Sequence, residues 1–121
     1  MGDRGYRDLI AWQKAMGLVR SVYEVTEEWP AREQFGLTNQ VRRAAVSIPS
    51  NIAEGKGRTG TREYAHHLSI AHGSLCELET HLLIAHDLAY LASSEIERLM
   101  NQAAEVGRLI RALIVKLRQP D

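Results

Sequence analysis

Residues 41–62 read VRRAAVSIPSNIAEGKGRTGTR, and two readings of this stretch lead to different folds. The run Gly55-Lys56-Gly57-Arg58-Thr59-Gly60 satisfies G-x-G-x-x-G, which in dinucleotide-binding proteins joins a strand to a helix inside a βαβ unit. The residues before it decide against that reading. Val41, Ala44, Ala45, Ile48 and Ile52 stay within a narrow arc at ~100° per residue, the period of a helix. The arc is the same on both sides of Pro49, so the stretch reads as one helix, kinked at the proline, followed by a glycine-rich joint. Two short helices meeting at Ser47-Ile48 are the alternative, because prolines often end helices. Position 49 offers no N–H to the Ala45 carbonyl, a defect of ~3 kcal/mol in a helix interior. Burial of Ile48 and Ile52 offsets it, with side-chain hydrogen bonds from Ser47, Ser50 and Asn51 around the break. The loop also fails as a Walker A element, since Thr61 follows Gly60 where that motif needs lysine.

Working outward, the same period recurs three times. Leu9, Trp12, Met16, Val19, Tyr23 and Thr26 form one stripe and Ala11, Ala15, Leu18, Val22, Val25 and Trp29 a second, together a wide apolar face. Pro30 blocks continuation and places the end of this helix near Glu28. In the proline-bearing helix Leu37 extends the stripe and Thr38 is the expected N-cap. A third helix carries Tyr64, Leu68, Ala71, Leu75, Leu78, Leu82, Ala85 and Ala89 in an unbroken 4-3 alternation, capped by Thr61 or Thr59. Beside it runs Ile70, Ser74, Glu77, His81, Ile84, Leu88 and Leu91. Gly73 and Ser74 in its middle imply close approach of a neighbouring backbone. Ser94 and Glu97 form a capping box for the last helix, whose stripe is Ile96, Leu99, Ala103, Val106, Ile110, Leu113 and Leu117. Four helices with short joints and no alternating pattern predict an all-α, antiparallel four-helix bundle over 1–121.

With 121 residues the chain has single-domain size, and 45% apolar with 25% charged residues is ordinary globular usage. Cys76 is the only cysteine, which excludes an intrachain disulfide and a multi-cysteine metal site and fits a reducing cytoplasm. Neither a basic-then-apolar leader nor an apolar run near ~18 residues is present, so neither signal peptide nor membrane span is expected. Fifteen basic side chains balance fifteen acidic ones. The balance hides segments of opposite sign: residues 1–62 carry a net +3, residues 63–97 a net −6 and residues 98–121 a net +3. Such fields orient partners or simply place helices of opposite charge side by side.

The residues point away from catalysis. His66, His67, His72, His81 and His86 all fall on the third helix, and none forms the i, i+4 histidine pair of helical zinc sites. Glu77 and His81 stand four apart and suit a structural pair. Cys76 lies between stripes and reads as a small buried residue. No metal, cofactor or catalytic residue is expected. Arg42, Arg43, Lys56, Arg58 and Arg62 form the candidate nucleic-acid patch, the last three around a turn whose following helix presents free N–H groups to an anion. Trp12, Val19, Tyr23, Trp29, Ile70 and Ile84 are candidate interface residues, because the first and third helices carry more apolar surface than one core needs. Homo-oligomerisation accounts for the surplus.

The segments DLIAWQKAMGLVRSVYEVTEEWP, GLTNQVRRAAVSIPSNIAEGKGR and YAHHLSIAHGSLCELETHLLIAHDLAYL resemble the bacterial four-helix-bundle family encoded by intervening sequences in 23S rRNA genes. The likeness is strongest at Gln40, Arg42, Arg43, Ala44, Ser47, Ile48, Pro49, Asn51, Ile52, Ala53, Glu54 and Gly55, and at Gly73, Ser74, Glu77, Leu78 and Glu79. It implies a left-handed up-down bundle assembled into a ring, a pentamer. A related branch, the accessory proteins of diversity-generating retroelements, comprises basic pentamers that bind nucleic acid and associate with a reverse transcriptase. The expectation is a non-enzymatic homo-oligomer that binds RNA or DNA through the basic patch, with a scaffold for a partner enzyme as the alternative.

Overall fold

A computed structural model describes residues 5–119. A 3-10 turn at Gly5–Asp8 leads into α1 (Ile10–Thr26), and a second at Ala31–Glu33 precedes α2 (Leu37–Gly57). Then come α3 (Thr61–Asp87) and α4 (Ser93–Arg118), with no strand among the described residues. The helix α2 runs unbroken through Pro49, so the two-helix alternative falls. The side-chain amide of Asn51 donates to the Ser47 carbonyl at 2.9 Å, one of the local bonds expected around the proline, whereas Ser50 is exposed.

Each helix packs against the next, and α4 returns to α1, a four-sided arrangement. Along α2, Ser47, Asn51 and Gly55 meet Ser74, His67 and Tyr64 of α3 in turn, so these neighbours run in opposite directions. The same holds for α3 and α4, where His72 and Leu75 meet Arg111 and Gly107. Leu18 and Val22 of α1, Ile48 and Ile52 of α2, Leu68 and Leu82 of α3 and Leu99 and Ile110 of α4 fill the axis, all fully buried. In α1 the stripe from Ala11 to Trp29 is the one that enters the core. The Leu9 to Tyr23 stripe covers its edge, with Trp12 and Val19 only partly buried.

Helix ends differ from the sequence expectation in instructive ways. The first helix stops at Thr26 rather than Glu28 because Trp29 turns inward, 7% exposed, and packs at a tilt against the Tyr90 ring with centroids 5.7 Å apart. Thr38 is buried and caps nothing. Glu33 takes that role, accepting the Leu37 N–H at 3.1 Å and the Tyr90 hydroxyl at 2.8 Å. Its carboxyl is held below the usual carboxylate range by the Leu37 N–H first and Tyr90 second. Neither Thr61 nor Thr59 caps α3, which begins after Gly60 without a side-chain cap. For α4 the capping glutamate is Glu95, whose carboxylate accepts the Ala92 N–H at 2.9 Å, rather than Glu97 paired with Ser94. The end of α3 is closed by Tyr90 N–H to Ala85 and Ala89 N–H to His86, with Ala89 at φ 66°. That is the Schellman arrangement with alanine where glycine is usual.

Of Gly73 and Ser74, expected together to mark a close approach, Ser74 meets α2, its hydroxyl 2.8 Å from Ser47 Oγ, and Gly73 does not. Gly73 is exposed, and a Cβ there would meet nothing within 4 Å. At Gly55 a Cβ would sit 2.7 Å from His67 Cβ and 3.2 Å from the Tyr64 carbonyl oxygen. Replacing these two glycines by alanine has opposite expected outcomes in urea denaturation. Gly73→Ala stabilises by about 0.5–1 kcal/mol through helix propensity. Gly55→Ala destabilises, because forcing α2 and α3 apart costs about 1–3 kcal/mol and exceeds that gain.

Candidate functional site

One edge of the interface between α2 and α3 is polar from Gln40 to Glu54. Ser47 Oγ and Ser74 Oγ lie 2.8 Å apart across it. Asn51 donates to Ser47 Oγ at 3.0 Å and faces His67 Nδ1 with its carbonyl at 3.1 Å. The other ring nitrogen of His67 is 3.8 Å from Glu54. The Glu54 carboxyl is held below its usual range, by the Arg58 hydrogen bond first and by His67 second. Beyond the serines the seam opens into a cleft of about 360 Å³ lined by Asn39, Gln40, Arg43, Ala44, Ser47, Ser74 and Glu77. One hydroxyl hydrogen of the serine pair is left over, since Asn51 donates to Ser47 and one serine donates to the other.

The five candidate cations do not form one patch. Arg42 turns towards α1, where its Nε donates to Thr26 Oγ1 at 2.9 Å and its guanidinium lies 4.6 Å from the Tyr23 ring centroid. Arg43 points the other way, into the cleft shared with α3. Both lie about 20 Å along α2 from Lys56, at 1.5 Å per residue. Arg58 is paired with Glu54 at 2.7 Å and Glu63 at 3.7 Å, and Glu54 pushes its pKa up. Lys56 lies 5.9 Å from the Tyr64 ring centroid, and Arg62 is exposed beside it in sequence at the start of α3.

Antiparallel neighbours gather charge that the sequence keeps apart. At one end stand residues 5–8, the α2–α3 joint at 54–63 and the end of α4 at 111–119, with seven basic and three acidic side chains. At the other end stand residues 24–43 and 87–98, with seven acidic and four basic ones. The neutral chain thus folds into a bundle with a basic pole and an acidic pole.

Residues 7–112 match the family described as 23S rRNA-intervening sequence protein. The chain belongs to that family. In the solved structure of a protein of unknown function from the S23 ribosomal protein family of Bacteroides thetaiotaomicron VPI-5482, the same fold recurs with a TM-score of 0.78. The likeness covers 87% of this chain and 98% of that one at 23% identity, and speaks to the fold. No curated protein matches.

Several residues that carry the resemblance to the 23S rRNA-intervening sequence family meet on the seam: Gln40, Arg43, Ser47, Asn51, Glu54, Ser74 and Glu77. The sequence singles out Ser47 and Asn51 for their place beside Pro49 and Ser74 for a close approach, without joining them. The link was invisible because it pairs residues 27 apart. Glu77 and His81 do approach, at 3.8 Å, with His81 buried. Cys76 is exposed, not buried, with His72 Nδ1 at 3.9 Å from its sulfur. Of the candidate interface residues Trp29 is a core residue, while Tyr23, Ile70 and Ile84 are exposed. No cluster of three metal-ligating side chains occurs among the described residues, and none of their helices is long and apolar enough to cross a membrane.

The seam and the surface pair beside it differ in expected energetic weight. Asn51→Ala strips partners from Ser47 and His67 and lowers stability by about 1–3 kcal/mol. Arg58→Ala removes only exposed ion pairs and changes stability by less than about 1 kcal/mol. Thermal or urea unfolding of the two variants checks the contrast.

Proposed function

We propose that this protein is a non-enzymatic, self-assembling helical bundle that binds RNA through its basic pole. The observation that carries the reading is the separation of charge along the bundle axis, seven basic against three acidic side chains at one end. Phosphate contacts give affinity without regard to sequence, and a neutral chain is no obstacle once its cations share a surface. Lys56 and Arg62 stay in this role, while Arg42 serves the α1–α2 contact. Arg43 lies towards the other end of α2 and contributes little to the pole.

Self-assembly is supported by two apolar surfaces on neighbouring sides of the bundle. The α1–α2 side has a groove of about 300 Å³ whose lining includes Trp12, Met16, Val19, Val46 and Pro49. The side shared by α2 and α3 bears Ile70, Ile84 and Leu88, on the stripe that also carries Ser74. Two different surfaces that pair head to tail at about 90° close a ring instead of extending a filament. Four copies close at a right angle and five at a slightly wider one, five being the number the resemblance implies. A ring with parallel bundle axes sums the basic poles on one face. Phe35, 89% exposed, favours a second reading, a scaffold that docks a partner protein such as a reverse transcriptase. Recovery of one defined protein after nuclease treatment, with no bound RNA, would select that reading.

Light scattering at micromolar concentration is expected to give a single mass of four or five chains, and Val46→Glu in the groove is expected to reduce it. A monomeric wild-type mass removes the assembly. For structured RNA, each phosphate contact contributes about −0.7 to −0.9 to the slope of log K against log salt. The pole's net of about four charges therefore predicts a slope near −3. Lys56→Ala and Arg62→Ala each reduce that slope by about 1, whereas Arg42→Ala leaves it unchanged. Absence of binding at low salt, or affinity independent of salt, overturns the reading.

A further inference from the structure

Within the basic pole, α3 and α4 enclose a cleft of about 310 Å³ lined by Ser69, His72, Arg111, Ile114, Val115 and Arg118. Its lining contains no carboxylate, unlike the α2–α3 cleft, where Glu77 faces the same space as Arg43. Arg111 and Arg118 are seven residues apart, two helical turns, and so project from the same face of α4. Neither forms an ion pair with a described residue. Arg111 is instead positioned by a ring nitrogen, His72 Nε2, at 3.3 Å. A guanidinium only donates, so Nε2 accepts and the ring hydrogen sits on Nδ1, facing Cys76. This contact orients Arg111 without neutralising it, and its remaining N–H groups are available to a ligand.

We infer that this cleft binds a phosphate monoester, held by Arg111 and Arg118 with the Ser69 hydroxyl as a third donor. A monoester carries close to two negative charges near neutral pH and three terminal oxygens, which suits two guanidinium forks. A backbone diester offers one charge and fewer free oxygens. The exposed Val115 and the partly buried Ile114 give the cleft an apolar edge for the sugar or base attached to the phosphate. Such a group is the 5′ end of an RNA or a free nucleotide. The inference rests on the basic-pole reading for its RNA form and stands apart from it for the nucleotide form.

The test compares one RNA oligomer with a 5′-phosphate or a 5′-hydroxyl, alongside titrations with adenosine 5′-monophosphate and inorganic phosphate followed by amide NMR. The wild-type protein is expected to favour the phosphorylated oligomer by about tenfold or more, as charge-assisted bidentate contacts do. Arg118→Gln abolishes the preference and Arg118→Lys retains part of it, while both keep the wild-type spectrum elsewhere. Inorganic phosphate shifts the amides around Ser69 to His72 and around Arg111 to Arg118 in the wild type and not in Arg118→Gln. Full competition by the mononucleotide identifies a free nucleotide as the occupant, and weak competition identifies the RNA end. Equal affinity for the two oligomers, with no localised phosphate shifts, overturns the inference while leaving the basic-pole reading intact. If neither oligomer binds, the basic-pole reading fails, and the phosphate and mononucleotide titrations alone decide the cleft: localised shifts uphold it, and their absence overturns it.

Discussion

The arrangement of the bundle depends on how closely α2 approaches α3, and that distance is set at Gly55. There the α3 side chains of Tyr64 and His67 lie where a Cβ would have to be. Helices that close to this separation bring Ser47 within a hydrogen bond of Ser74 and Asn51 within reach of His67. Larger side chains in place of the glycine and the serines would hold the two helices further apart and break these links. The short side chains of the seam and the glycine are thus two sides of one constraint. The joint that follows is tethered by the same contact, so Lys56, Arg58 and Arg62 are carried by an anchored turn rather than a loose loop.

A polar interface between two helices is not the most stabilising use of that surface. Net gains from buried hydrogen bonds are modest, and groups that lose a partner are costly. Within the seam Ser74, Ser47, Asn51 and His67 are linked in series, with Glu54 at its exposed end and one serine hydroxyl hydrogen left towards the cleft. It also specifies register, because sliding α3 by one turn would break every link at once. The opposite end of the bundle is fastened in another way, by Glu33 bridging the start of α2 to Tyr90 and by the Trp29 ring against Tyr90. The strained φ of Ala89 is held there because Tyr90 is anchored on both its hydroxyl and its ring.

Charge follows the same logic. Along the chain, the net +3, −6 and +3 segments suggest that acidic α3 lies between basic neighbours. In the folded molecule Glu24, Glu27, Glu28, Glu33, Asp87, Glu95 and Glu97 gather at the end that holds the α1–α2 and α3–α4 joints, and the basic ends of α2 and α4 collect at the other. The Arg111–His72 contact belongs to this second level of organisation. It exists only because α3 and α4 run in opposite directions with Leu75 beside Gly107.

Periodicity in the sequence determined the class, the number of helices, the passage of one helix through Pro49 and most of the core, because apolar spacing of three and four is itself the geometry of a buried helical face. It also ruled out the nucleotide reading of Gly55 to Gly60, since that motif requires a strand before it. Cap residues were misread at Thr38, Thr61 and Ser94, where local propensity competes with chain direction at the joint, and only tertiary contacts such as Glu33 with Tyr90 settle it. Gly73 and Gly55 look alike in sequence, and their difference is a neighbouring helix. The five cations chosen from sequence were neighbours on a linear stretch, yet Arg42 and Arg43 diverge around α2, and a helix separates them from Lys56 by several turns. The seam, the poles and the arginine cleft were decided by tertiary structure alone, because each joins residues from helices whose pairing no local pattern encodes.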